Sequence, residues 1–309
     1  MKRWLVLGLI VSLVALAGCG ASAPTTQEKP AKLSVVATFF PLADFARQVG
    51  GDRVEVTCLV PPGVSVHDWE PSPGDLTKIM QSELFIYNGA GLEPWVDKVL
   101  PEYKGKPVEA VKGIKLLTFA EVGGVEGEDH HHYHGEVDPH AWLDPVNAQQ
   151  YVKNILEGLL AVDPQGADYY RQRVEAYEKK LQELDKAYRE AAAHFRHREI
   201  VVSHAAFGYL AHRYGLKQIP IAGLSPQAEP SPAKLAELVR LIKGRHVKYV
   251  FFESPANPRV AETLAREAGV KALVLNPVAG LTPEEKSGAK GYLEVMQDNL
   301  KVLQQALGD

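Results

Sequence analysis

Between residues 167 and 195 the chain carries neither glycine nor proline. Tyr170, Val174, Tyr177, Leu181, Leu184 and Tyr188 recur there at spacings of four and three, which draws one apolar seam along a helix. Asp163-Pro164, just ahead, is a helix start signal. About 30 residues at roughly 1.5 Å each make a rod about 45 Å long. A coiled coil would need a second seam of that length to pair with, and the sequence offers none. The pattern predicts a long backbone helix over 162–197 that links two lobes.

On either side of it, short apolar runs alternate with helical spacing. Strands are expected at 33–38, 53–60, 84–88 and 108–111, then again at 200–203, 217–221, 249–253 and 272–275. Helices fall between them, the last expected as one piece over 283–307. Strand–helix alternation implies parallel sheets covered on both faces. The fold class is therefore α/β, with two α/β lobes of mainly parallel sheet at 33–161 and 198–309.

The first residues set the compartment. Lys2 and Arg3 precede an apolar run over 4–17 that reads as an export signal. Leu16-Ala17-Gly18-Cys19 resembles the lipobox of bacterial lipoproteins. Residues 1–18 would then be a signal peptide, Cys19 the lipidated residue and 19–32 a tether. The chain would be exported and lipid-anchored at the outer face of the cytoplasmic membrane, or on its periplasmic side. With Cys19 so used, Cys58 has no partner, and a thiolate-rich metal site is excluded. A net charge of −4 without a basic stripe excludes nucleic acid as a partner.

Ligands of parallel α/β sheets bind beyond the carboxyl ends of the strands. That rule sorts the eleven histidines of the chain. His67 lies in the loop leaving the second strand, and His204 directly follows a strand of the second lobe. His140 stands between Asp138-Pro139 and Asp144-Pro145, where two prolines stiffen the backbone. Asp68 and Asp138 can accept the spare ring N–H of a ligating imidazole. His194, His197, His212 and His246 sit at helix ends or in solvated surroundings and are set aside. Residues 121–136 form an acidic, glycine-rich loop in which His130, His131, His132 and His134 offer a loose, exchangeable metal-collecting site.

Three motifs carry a resemblance: His67-Asp68-Trp69-Glu70-Pro71-Ser72-Pro73, Asp138-Pro139-His140-Ala141-Trp142-Leu143-Asp144-Pro145, and Val202-Ser203-His204-Ala205-Ala206-Phe207-Gly208-Tyr209. The chain is similar to the metal-binding lipoproteins of zinc and manganese ABC importers over nearly all its mature length. The resemblance implies two lobes bridged by a long helix, with the metal in the cleft between them on His67, His140 and His204. It implies a monomeric carrier that is not an enzyme and that delivers its ion to a membrane permease.

The resemblance also marks a departure. Relatives supply a carboxylate ligand where this chain has Asn276 or Ala279. Water, Glu253 and the Asn276 carbonyl oxygen are the candidates for a fourth ligand, with Glu284 and Glu285 close by in sequence. Three neutral imidazoles suit Zn2+ better than Mn2+, and manganese-binding relatives tend to carry Glu in place of His204. Three other readings use the same residues: a manganese-binding relative, a metal-stabilised surface adhesin, and a zinc hydrolase with three histidines and a water on the ion.

Overall fold

The computed structural model describes residues 32–122, 137–222, 231–245, 247–253 and 259–308. Cys19 and the leader, the loop histidines His130, His131, His132 and His134, and His246 lie outside them.

The first lobe opens with Leu33–Ala37 (β1), a β-branched apolar run, and turns into helix Phe40–Gly50 (α1). Gly51, at φ 53°, stops that helix in the left-handed region that glycine tolerates. Val54–Cys58 (β2) follows, then a long loop and helix Pro73–Gln81 (α2). Ser72 and Asp75 close a capping box at the start of α2. Leu84–Tyr87 (β3), Val96–Val99 (α3) and Lys106–Glu109 (β4) complete the sheet. Its order is β2-β1-β3-β4, and every pairing is parallel.

Helix Pro145–Val162 (α4) then leads through a turn at Pro164–Gly166 to Ala167–Ala193 (α5), a 27-residue helix on the apolar seam that is shorter at both ends than the expected 162–197. Asp144 caps α4 by accepting from Val146 N at 2.8 Å, with Pro145 as its first residue. The second lobe runs Glu199–Val202 (β5), Gly208–Tyr214 (α6), Lys217–Pro220 (β6), Pro232–Gly244 (α7), Tyr249–Phe252 (β7), Arg259–Ala268 (α8) and Lys271–Val274 (β8). Pro283–Ser287 (α9) and Tyr292–Leu307 (α10) close the chain. The sheet order is β6-β5-β7-β8, again parallel and with the connectivity of the first lobe.

The single helix expected over 283–307 is two helices. Ala289 takes φ 51° between them, and Gly291 starts α10 afresh with its N–H on Glu294. A left-handed residue cannot continue an α-helix, and the first turn of α10 supplies its own cap.

Strand alternation divides the apolar side chains between cores. Val35 and Ala37 face the central core, while Val36 faces an outer one with Phe85 and Trp95. Ile200 and Val202 face the same central core, while Val201 lies under α7 and α8 with Leu238 and Leu264. The central core is therefore common to both lobes, and the α5 seam runs through it with all six of the residues that define it buried. Phe45 of α1 meets Tyr292 of α10 edge-on at 4.8 Å and lies 6.2 Å from Tyr177 of α5. Aromatic edge contacts of this kind add about 0.5–1.5 kcal/mol beyond area burial. They join the lobes through the long helix, which leaves little freedom for a wide hinge.

Candidate metal centre

In the order β6-β5-β7-β8 the chain leaves β5 toward β6 and later returns to β7 on the other side. A crevice opens at that switch point, beyond the strand ends. His204 sits there, just after β5, and Glu253 just after β7. Oε1 of Glu253 accepts from both the main-chain N of His204 at 3.2 Å and its Nδ1 at 2.5 Å. Both residues are buried.

The first lobe faces the same crevice. At the ends of β1 and β3, Thr38 Oγ1 and Asn88 N donate to the buried carboxylate of Glu93 at 2.7 and 2.9 Å. Asn88 Nδ2 in turn donates to the Pro139 oxygen at 3.1 Å, which holds the segment that carries His140. Oδ1 of Asp138 accepts from His140 N at 2.9 Å and Nδ1 at 2.7 Å. His140 and Asp138 are both fully buried. His67 comes from the loop after β2, where Val66 is buried and Gly63 N donates to Leu281 O of the second lobe at 3.1 Å.

His67, His140 and His204 form, among the described residues, a group whose ligand atoms all lie within 4.8 Å of one another. Nε2 of His140 is 3.2 Å from Nε2 of His67 and 3.4 Å from Nε2 of His204. Two nitrogens about 2.05 Å from one zinc ion at the tetrahedral angle stand about 3.3 Å apart. The chemistry of the rings agrees. A carboxylate oxygen that already accepts a main-chain N–H leaves Nδ1 as the donor, so Nε2 of His140 and of His204 each present a lone pair. Two lone pairs at 3.4 Å repel, and a cation between them turns the repulsion into binding.

The surroundings keep the His67 and His140 rings neutral. Burial first, then the neighbouring His140 and His204, hold His67 well below the usual imidazole range. Burial and His204 do the same for His140. Burial pushes Asp138 up to about 8, against its bond from the His140 main-chain N–H.

Neither oxygen candidate for a fourth ligand joins the cluster. Glu253 is turned to the far side of the His204 ring by its two hydrogen bonds. Asn276 is buried, with Oδ1 accepting from Val278 N at 2.7 Å and its main-chain oxygen accepting from Asn299 Nδ2 at 2.7 Å. Its side chain organises the turn after β8, and its Nδ2 donates to Glu285 at 3.1 Å. The backing of His204 by Glu253 was not foreseen. Its position at the end of the strand beside β5 was the available signal. His194 caps the end of α5 and His212 lies in the last turn of α6, both outside the cluster.

Two doubly wound lobes on one shared helix, with three converging imidazoles in the crevice between them, define a two-lobed metal-ion receptor. The chain belongs to the family described as zinc-uptake complex component A, periplasmic, whose model matches residues 35–306. It is 42% identical over 319 residues to the high-affinity zinc uptake system protein ZnuA of Bacillus subtilis (strain 168), covering 99% of this chain and 98% of that one. It is 40% identical over 301 residues to the zinc-binding lipoprotein AdcA of Streptococcus pneumoniae (strain R6), covering 96% of this chain but 60% of AdcA. The crystal structure of the Zn(II)-bound ZnuA-like domain of Streptococcus pneumoniae AdcA superposes with a TM-score of 0.78 at 40% identity, covering 90% of this chain and 100% of the domain.

Proposed function

We propose that this protein captures a zinc ion outside the cytoplasm at His67, His140 and His204 and hands it to the membrane permease of an ABC importer. The observation that carries the reading is the spacing of the Nε2 atoms, 3.2 and 3.4 Å, against the separation of about 3.3 Å that a tetrahedral zinc ion imposes. Three uncharged nitrogen donors favour zinc over manganese, which prefers oxygen. Solvent completes the coordination in this reading, since Glu253 and Asn276 are engaged elsewhere. The relatives are uptake proteins, so the ion is cargo and the protein is not an enzyme.

Two further parts of the reading come from the sequence. Cys19 carries a lipid that anchors a monomeric receptor at the membrane surface, and His130, His131, His132 and His134 collect metal loosely. No helix among the described residues is long and apolar enough to cross a membrane.

The test is zinc uptake by cells that keep the permease and lack this receptor. Restoring the full chain should restore radiozinc accumulation, and His140→Ala should not. Accumulation that is equal with His140→Ala, or that persists without the permease, would contradict the proposal.

A further inference from the structure

The motif that supplies His204 reaches across the lobe boundary a second time. Four and five residues on, Gly208 and Tyr209 open α6, and both lie against Asp138 of the first lobe. Tyr209 Oη donates to the Asp138 main-chain oxygen at 2.8 Å and accepts from Leu117 N at 2.9 Å. Asp138 N donates to Leu117 O at 2.8 Å, so both main-chain polar groups of Asp138 are fixed.

Gly208 contributes space. A Cβ on it would lie 2.6 Å from Asp138 Oδ2 and 2.4 Å from Cβ and Cγ1 of Val122. Its φ is not in the left-handed region, so the backbone places no demand for glycine there. Glycine weakens a helix relative to alanine, and here the demand comes from the neighbouring carboxylate instead. Oδ2 of Asp138 is buried without a hydrogen-bond partner in the structure, while Oδ1 takes both N–H groups of His140. Nothing on the Oδ2 side pulls the carboxylate into place. It is held by its main chain and by the two bonds at Oδ1, and the missing Cβ of Gly208 leaves room for Oδ2.

We propose that Gly208 and Tyr209 are positioning residues of the metal site. From the second lobe they hold Asp138 against Nδ1 of His140 in the first, and so keep Nε2 of His140 unprotonated and aimed at the ion. This rests on His140 being a zinc ligand. One lobe supplies His204 and also the support for the other lobe's His140, so the two ligands are set by a single interface. Outer partners of metal-ligating histidines are worth about 10–100-fold in affinity, and a partner that has to be held in place transmits that sensitivity to whatever holds it.

The test uses Tyr209→Phe, Gly208→Ala and the pair Gly208→Ala with Val122→Gly in the full chain. Zinc affinity is read by competition with a chromophoric chelator, and the His140 ring tautomer by nitrogen NMR of the zinc-free protein. Gly208→Ala should weaken zinc binding about 10-fold or more and populate the Nε2–H tautomer of His140. Tyr209→Phe, close to isosteric, should move both readouts the same way. Val122→Gly relieves the second clash only and should restore neither. Unchanged tautomer and affinity in folded Gly208→Ala, or recovery of both in the pair, would assign Gly208 to packing and overturn the proposal. A wild-type protein with His140 held as the Nδ1–H tautomer that binds no zinc would instead defeat the zinc-capture reading and leave the positioning intact.

Discussion

Nε1 of Trp142 donates to the main-chain oxygen of Pro277 at 2.9 Å, from one lobe to the other and two residues from His140. Tyr292 Oη returns the contact, donating to the Trp142 oxygen at 2.7 Å. Trp142 is fully buried and meets Phe39 edge-on at 4.8 Å. The segment that carries His140 is thereby fastened to the second lobe although it belongs to the first.

Removing that fastening should cost stability. Trp142→Phe leaves the Pro277 oxygen without its donor and opens a cavity, for a loss of about 3 kcal/mol. Tyr292→Phe loses only the hydrogen bond, for about 1 kcal/mol. Urea unfolding of the two variants should rank them in that order.

The Arg213–Asp144 pair makes a second crossing. Its N···O distance is 2.6 Å, and Asp144 is 4% exposed against 31% for Arg213. Asp144 also caps α4, so Arg213→Ala strands a buried carboxylate at the start of that helix. Partial exposure of Arg213 moderates the loss to ~2 kcal/mol, below the ~3–5 kcal/mol of a fully buried pair. Thermal unfolding should show the fall, and Arg213→Lys should recover part of it.

Glu93 gives a pH dependence with a definite sign. Burial pushes its carboxyl up to about 7, against bonds from Asn88, Thr38 and Gly89. Between about 4.5 and 7 the folded chain holds a proton there that the unfolded chain has lost. The stability contributed is full below that window and is lost as pH rises through it, by ~3 kcal/mol in all. Glu93→Gln does not titrate. Urea midpoints of both proteins at pH 5 and pH 8 should show wild type losing ground to the variant at the higher pH.

Much of this architecture is legible in the sequence, for physical reasons that also explain the gaps. The α5 seam could be read because all six of its apolar residues face one shared core. The three histidines could be placed because strand-to-loop boundaries are local features. The break between α9 and α10 was missed because the left-handed turn at Ala289 falls on a residue whose type does not announce it. Glu253 could be considered as a ligand or a general base but not as the partner of His204, because that pairing depends on β5 and β7 being neighbours, which is a property of the sheet. Asn276 looked available as a donor because its bonds to Val278 and Asn299 are tertiary.

Glu253 has a test of its own. As the partner of His204 Nδ1, it should be replaceable by a neutral acceptor at small cost. Glu253→Gln should keep zinc affinity closer to wild type than Glu253→Ala, which should lose about 10–100-fold. Chelator competition on the two variants decides the order, and equal losses would point to direct ligation.

The central claim is that one zinc ion is held by His67, His140 and His204. Its most direct test is an equilibrium zinc titration of the wild-type chain against the His67→Ala/His140→Ala/His204→Ala variant, with circular dichroism to show that both are folded. The structure predicts one tight site in the wild type and its loss in the variant. A folded variant that keeps the tight site at full affinity would place the ion elsewhere and contradict the account.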